Sequence, residues 1–478
     1  MLKKTIQQAK EGSPLTLQWW DWLLFAFFAV ACFFLFNQKD IEITVDVSYQ
    51  LLHGNVFNFY SSATEWWGHS GGSVYLPPTY IIFAIWNIPI FLLGKAPVLI
   101  YSSSALKMVW YKLLTVIVYL IAGLIIRKIC QSSLGFSNNK AKLAMYLFYT
   151  APLAFFSQFI FGQYDVFTVA LMLLGLHYYL KADASTRDHW LFVLFFGLAA
   201  TFKYYVLAVF FVLLVLRNKQ ILRLLGSAGL VFVPIVLISL PFAVCDFEAF
   251  RASVMNFHVL GYTNVAEIPV GASSIRLQLA ALLALFVWAY FVKPKDRKNF
   301  ISYAFFFGSG VIAALFVFMP WHPQWLMIGA PIWAMSLLQC RHRAVLLWTE
   351  TIFSIPFFIY VVNRFPNNVD QDMLKRMVFT PWLRGSETEG ALMMRDIYPS
   401  VDLSLLFTIM VALFILWFVL RHPCFSENDP ELDVSNTAIN FEPLTMRIAM
   451  RARIIVPVLF FVIPALMCLP SLLAAAGG

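Results

Sequence analysis

Residues 19–36 read WWDWLLFAFFAVACFFLF, and residues 37–49 continue as NQKDIEITVDVSY. The first stretch is close to the ~20 apolar residues that cross a bilayer core. Lipid offers no partner to backbone polar groups, so such a run satisfies them internally as a helix. The second stretch sets acids at the mouth of that span. Working outward, similar runs are expected as spans at 108–126, 143–161, 166–180, 189–202, 204–216, 224–245, 277–292, 300–319, 325–339, 344–362, 403–420 and 454–475. The two on either side of Lys203 are too short to cross alone in a straight path. The expected fold is all-α: a polytopic integral membrane protein with about 13 transmembrane helices. Residues 76–94 are also apolar, but they open on Pro77-Pro78 and contain Pro89. They are expected to form an interfacial or re-entrant helix in the first outer loop.

Composition agrees. The 478 residues are 61% hydrophobic and only 12% charged, where a soluble domain carries about a quarter of its residues as charges. No soluble domain of any size fits between the runs. The six cysteines are scattered with no CxxC spacing and read as free thiols. The first run lacks a small-residue cleavage site and is expected to be a retained anchor.

The lysines and arginines orient the map. With the N-terminus inside, 22 of the 34 fall on the inner side, mostly in short loops, as the positive-inside rule asks. Counting 76–94 as a span would invert every later loop. The net charge of +9 therefore reflects topology, and a nucleic-acid partner is not needed to explain it. The long outer loops are 37–107, 246–276 and 363–402, and the long inner segment is 421–453. No fixed-period repeat is evident, which counts against transporters made of inverted repeats.

Polar residues at membrane depth are costly and mark function by default. Asp40, Glu42, Asp46 and Tyr49 follow the first span, and Asp46 and Tyr49 share a face if the segment is helical. Gln163, Tyr164 and Asp165 form a turn between two spans, with Gly162 allowing the reversal. Lys203, followed by Tyr204-Tyr205, interrupts an apolar run and needs a partner or an anion. Pro320-Trp321-His322-Pro323-Gln324-Trp325 makes a rigid aromatic and polar turn. Arg276, at the outer start of a span, suits a phosphate or a lipid headgroup. Trp66, Trp67 and His69 lie in the first outer loop, where tryptophan is commonly an interfacial anchor. Loop acids, a snorkelling lysine and a belt of aromatics are the structural alternatives. By the map Asp40, Asp46, Asp165, Lys203, Arg276 and His322 all lie outward. A carboxylate can take a proton from an attacking hydroxyl, and cations can stabilise a departing phosphate.

These residues resemble motifs of the GT-C superfamily of membrane glycosyltransferases, which use polyprenyl-phosphate sugars. Asp40, Asp46 and Gly54 match the spacing of the first-loop pattern in the GPI mannosyltransferase type. Tyr75-Leu-Pro77-Pro78 is similar to the Tyr-x-Pro-Leu stretch of that type and to the Tyr-Pro-Pro stretch of bacterial polyprenol-dependent mannosyltransferases. Gly162-Gln163-Tyr164-Asp165 resembles the second-loop motif. Lys203-Tyr204-Tyr205 resembles Lys-Tyr-Tyr-Pro, with Val206 in place of the proline, and Gln324-Trp325 resembles a late Gln-Tyr-x-x-Trp motif. The chain departs from the GPI type in carrying Asp40-Ile-Glu42 where that type has Asp-x-Asp. A divalent metal is not required, and no residue is assigned to one.

The resemblance covers residues 19–340 as a GT-C-like module, with 341–478 as additional C-terminal helices of one membrane domain. It implies an inverting transfer of a mannose-like or glucose-like hexose from a polyprenyl phosphate to a glycan, lipid or protein. Asp40 is the first choice of base, then Asp46 and Asp165. Lys203 and Arg276 would bind the donor phosphate, and Tyr49, Gln163, Tyr164, His322 and Gln324 the substrates. The site would face the periplasm or exterior of a bacterial inner membrane, or the lumen of the endoplasmic reticulum, with membrane lipid around the spans. A secondary transporter, with intramembrane charges coupling ion and substrate, is the main alternative. A membrane scaffold subunit is the third.

Overall fold

A computed structural model describes residues 16–68, 72–95, 105–255, 267–270, 273–318, 322–339, 343–365, 371–383, 391–398, 408 and 442–477. The main helices are α1 (Trp19–Leu35), α2 (Lys39–Leu52), α3 (Phe59–Trp67), α4 (Pro77–Leu92), α5 (Ala105–Ser132), α6 (Asn138–Tyr149), α7 (Val166–Tyr179) and α8 (Thr186–Ala200). They continue as α9 (Val206–Arg217), α10 (Ile221–Leu230), α11 (Val233–Cys245), α12 (Leu277–Phe291), α13 (Arg297–Phe318), α14 (Ala330–Leu337), α15 (Arg343–Arg364) and α16 (Glu442–Gly477). One hairpin, β1 (Glu267–Val270) with β2 (Ser273–Arg276), pairs antiparallel with Glu267 opposite Arg276.

The protein is a helical membrane protein. Helix α5, the Ile221–Cys245 stretch, α13, α15 and Thr445–Ala475 of α16 are each long and apolar enough to cross a bilayer. Two bent pairs raise that number to seven: α1 with α2 at 68°, and α6 with Pro152–Ile160 at 55°. Helices α7, α9 and α12 stand where further spans are expected, with 14, 12 and 15 residues. The expected span at 403–420 lies outside the described residues save Thr408.

The last helix begins earlier than its apolar run suggests, at Glu442 rather than 454. Arg447, Arg451 and Arg453, expected in an inner linker, are helical because each finds a partner on the bundle. Arg451 donates twice to Asp21 Oδ1, at 2.9 and 3.0 Å. Arg447 Nη1 lies 3.8 Å from the same carboxylate. Arg453, fully buried, pairs with Glu350 at 2.7 Å and donates to the Leu147 carbonyl. Burying a carboxylate as deeply as Asp21 is costly without such compensation.

The largest core unites α1 and α5 to α9 with α13 to α16. A second core sits under α2. Ile41, Val45 and Tyr49, one turn apart, pack with Phe83 of α4, Met108 and Tyr111 of α5, and Tyr164 and Phe167. Those three residues are why a segment so rich in acids folds as a helix: the 3.6-residue period gives it an apolar stripe. A third core joins Val47 of α2 to α3, α4 and Phe242 of α11. Helix α2 is thereby held between the bundle and the outer helices.

Candidate active site

The site forms where two breaks in the bundle meet. The first lies between α1 and α2. Lys112, two turns into α5 and fully buried, donates to the carbonyls of Phe33 at 3.0 Å and Phe36 at 2.6 Å, and to that of Phe159 at 3.2 Å, at the end of the segment after the second break. One ammonium thus satisfies carbonyls that both helix ends leave open. Gln38 then starts α2, its Oε1 accepting the Asp40 N–H at 2.6 Å. Asp40 occupies the first turn, where the positive end of the helix favours a carboxylate.

The second break ends in the turn 161–165. Gly162 has φ of +76°, and a Cβ there would meet Asn37 Oδ1 at 2.4 Å. Glycine is required twice over, for its conformation and for the close approach. That approach lays the turn on Asn37 and Gln38. Gln163 Nε2 reaches Gln38 Oε1 at 3.2 Å and Asp40 Oδ2 at 3.3 Å. The Tyr164 hydroxyl lies 3.1 Å from Thr44 Oγ1, one turn beyond Asp40. Asp165 Oδ1 lies 3.5 Å from Lys203 Nζ and accepts from the Tyr205 hydroxyl at 3.2 Å. Its Oδ2 is buried and unpartnered among the described residues.

Lys203 lies in the turn between α8 and α9, buried rather than drawn out to the surface. Its ammonium faces the rings of Tyr75 at 4.5 Å, Tyr164 at 5.6 Å and Trp325 at 6.0 Å. The His322 ring packs on Trp325 and Phe365. Burial holds its imidazole below the ordinary range, while the nearby Asp40 carboxylate pulls the other way. Gln324 is buried in the same turn, with Oε1 unpartnered among the described residues. Asp40, Gln163, Tyr164, Asp165, Lys203, His322 and Gln324 therefore come together, from four separate parts of the chain.

Asp46 and Tyr49 face elsewhere. Lys107 Nζ lies 2.6 Å from Asp46 Oδ2 and 3.1 Å from Glu42 Oε1. The Tyr111 hydroxyl donates to Asp46 Oδ1 at 2.8 Å, and Arg376 pairs with Glu42. Tyr49 neighbours Tyr111 in the core beside them. This cluster fastens residues 371–383 over the first break, where Asn37 N–H also donates to the Met373 carbonyl at 3.0 Å. Arg276 lies on the exposed hairpin, paired with Glu267 at 3.1 Å. Its described contacts do not reach Lys203. His69 and Trp321 lie outside the described residues. Among those residues no group of three His, Cys, Asp or Glu could hold a metal ion.

The three acids differ in what touches them. Asp46 carries a lysine and Asp165 a more distant one, whereas Asp40 has only two long amide hydrogen bonds, at 3.3 Å, and no ion pair among the described residues. Asp40 is thus the one of the three that no described cation holds. The same group holds Lys203, which faces Asp165 at 3.5 Å and three aromatic rings.

A family model described as Glycosyltransferase family 87 matches residues 87–328, just over half of the chain. The match takes in Asp165, Lys203 and His322 and begins beyond Asp40. No curated protein matches the chain, and no solved structure does.

Proposed function

Since the chain belongs to glycosyltransferase family 87, we propose that it moves a mannose-like or glucose-like hexose from a polyprenyl phosphate to a hydroxyl of a glycan, lipid or protein. The acceptor oxygen bonds the anomeric carbon as the bond to the phosphate oxygen breaks, with inversion. The acceptor proton passes to Asp40. The phosphate leaves with its charge facing Lys203, and the rings of Tyr75, Tyr164 and Trp325 line the space between. Gln163 and Tyr164 position the sugar, with His322 and Gln324 on the far wall. The reaction faces away from the cytoplasm, because the inner ends of the same helices carry the surplus of lysine and arginine.

The observation that carries this reading is the pairing of an uncompensated carboxylate, Asp40, with a buried lysine, Lys203, through the single turn 162–165. We give Asp46 and Tyr49 a supporting role, because the Asp46 oxygens are both engaged. We leave Arg276 out of the phosphate site because Glu267 already answers its charge. Purified protein incubated with a panel of polyprenyl-phosphate hexoses and hydroxyl acceptors should release polyprenyl phosphate with at least one donor. Hexose transfer from nucleotide-linked sugars alone, with release of the nucleotide, would overturn the choice of donor.

A further inference from the structure

The opposite ends of the helices that carry the acid group border a second polar site, an open recess. Helix α7 starts directly after Asp165 and ends at Tyr179. Helix α9 starts just beyond Lys203 and ends at Arg217. Helix α13 starts at Arg297 and ends shortly before His322. At about 1.5 Å per residue, the 14 residues of α7 put roughly 20 Å between the two ends. At the far end the three turns at 181–184, 216–219 and 292–297 surround a cavity of about 620 Å³. That is within the ~300–1,000 Å³ of small-molecule sites.

Its lining is strongly basic. Lys181, Arg217, Lys219, Lys293 and Arg297 meet one lining carboxylate, Asp296. Asp188 at the rim pairs with Lys181 at 2.5 Å. Three of these cations are fixed by main-chain carbonyls. Arg217 stacks on the Tyr179 ring at 4.1 Å and donates to the carbonyl of the same residue. Arg297 donates to Ser133 and Leu180 at 2.9 and 2.6 Å, and Lys219 to Val215 and Ala289 at 2.9 and 2.6 Å. Carbonyls at helix ends orient these groups and offset only part of their charge, and each guanidinium has five donors. The lining therefore carries more cationic charge than its carboxylates answer.

Its surroundings indicate which anion. Directly after Lys219, helix α10 opens on Ile221 and Leu222, 64% and 82% exposed. Directly before Lys293, helix α12 closes on Phe291, 72% exposed. Exposed apolar rows continue along both helices through Leu225, Leu279 and Leu283. A basic cavity flanked by two bare apolar helix faces fits a headgroup with tails attached better than a free ion, and basic recesses between membrane helices bind such headgroups. We propose that this cavity holds the phosphate of an anionic membrane lipid whose acyl chains lie along α10 and α12. The site is independent of the transfer reaction.

The test is native mass spectrometry of the delipidated, full-length protein titrated with dioleoylphosphatidylglycerol or dioleoylphosphatidylcholine. Two variants are compared: Lys293→Gln in the cavity, and Lys295→Gln on the same turn but outside its lining. Both lysines are exposed, so both proteins should fold. Expected are preferential retention of phosphatidylglycerol, about fivefold weaker binding in Lys293→Gln from the loss of one charge near the surface, and parent-like binding in Lys295→Gln. Equal retention of the two lipids, or equal behaviour of the two variants, overturns the proposal. So does displacement of bound phosphatidylglycerol by millimolar inorganic phosphate, which would make the site one for a soluble anion.

Discussion

Asp40 and Asp46 stand on one helix six residues apart, so their side chains leave it in well-separated directions. The difference in their surroundings predicts different failures. Asp40→Asn should lower turnover by about 10²–10⁴-fold and leave the unfolding temperature unchanged. Asp46→Asn should cost about 3 kcal/mol of stability, because it strips a partner from the buried Lys107. An assay of polyprenyl phosphate release beside thermal unfolding separates them, and the reverse pattern would move the base to Asp46. Lys203→Met should weaken donor binding about ten- to a hundredfold, the scale of a lost charge-assisted contact, while Lys203→Arg keeps most of it. Donor binding at parental strength in Lys203→Met would make the lysine a structural one. These positions were legible in the sequence because each is a charge or amide in an apolar setting. Lys107 and Arg376 were not. Lys107 reads as a loop cation at the edge of a span, and Arg376 lies 334 residues from the Glu42 it pairs with. Lys112 carries the same signal as Lys203, yet its partners are main-chain carbonyls, which no side-chain pattern announces.

At the scale of elements, the sequence shows where apolar runs lie but not how they bend. The 68° turn between α1 and α2 releases the Phe33 and Phe36 carbonyls to Lys112, and the 55° turn after α6 releases those of Leu147, Phe148 and Tyr149 to Arg453 and Tyr119. Lys112→Met should therefore destabilise the protein by at least about 3 kcal/mol, with buried carbonyls left unpaired. It should also lower turnover, because Asp40 and Gln163 are placed by the two ends that Lys112 joins. An unchanged unfolding temperature with unchanged turnover would deny that role. Gly162 makes the same point from sequence, as its turn was readable. The contact with Asn37 that explains the glycine needs the fold.

For the whole molecule, the bias of lysine and arginine gives a sidedness that helix lengths alone do not. Single cysteines in a cysteine-free background, at Glu65 beside the outer helices and Lys295 beside the basic cavity, should react with impermeant reagents from opposite faces. Labelling of both from one face would abandon the orientation and the outward-facing site together. Helix count is the less legible quantity. Three apolar runs became helices of 12 to 15 residues, each cut short at one end by the turn that carries Asp165 or Lys203.

The clasp between α16 and Asp21 also has a history in time. Asp21 meets Arg451 across 430 residues of chain. At ~5–20 residues per second of synthesis, its counter-ions arrive on the order of tens of seconds after it emerges. Until then the first span carries an unanswered carboxylate at the membrane edge. The pair forms only after α16 is delivered, so a chain cut short between Asp21 and Arg447 leaves that carboxylate without the arginines that hold it.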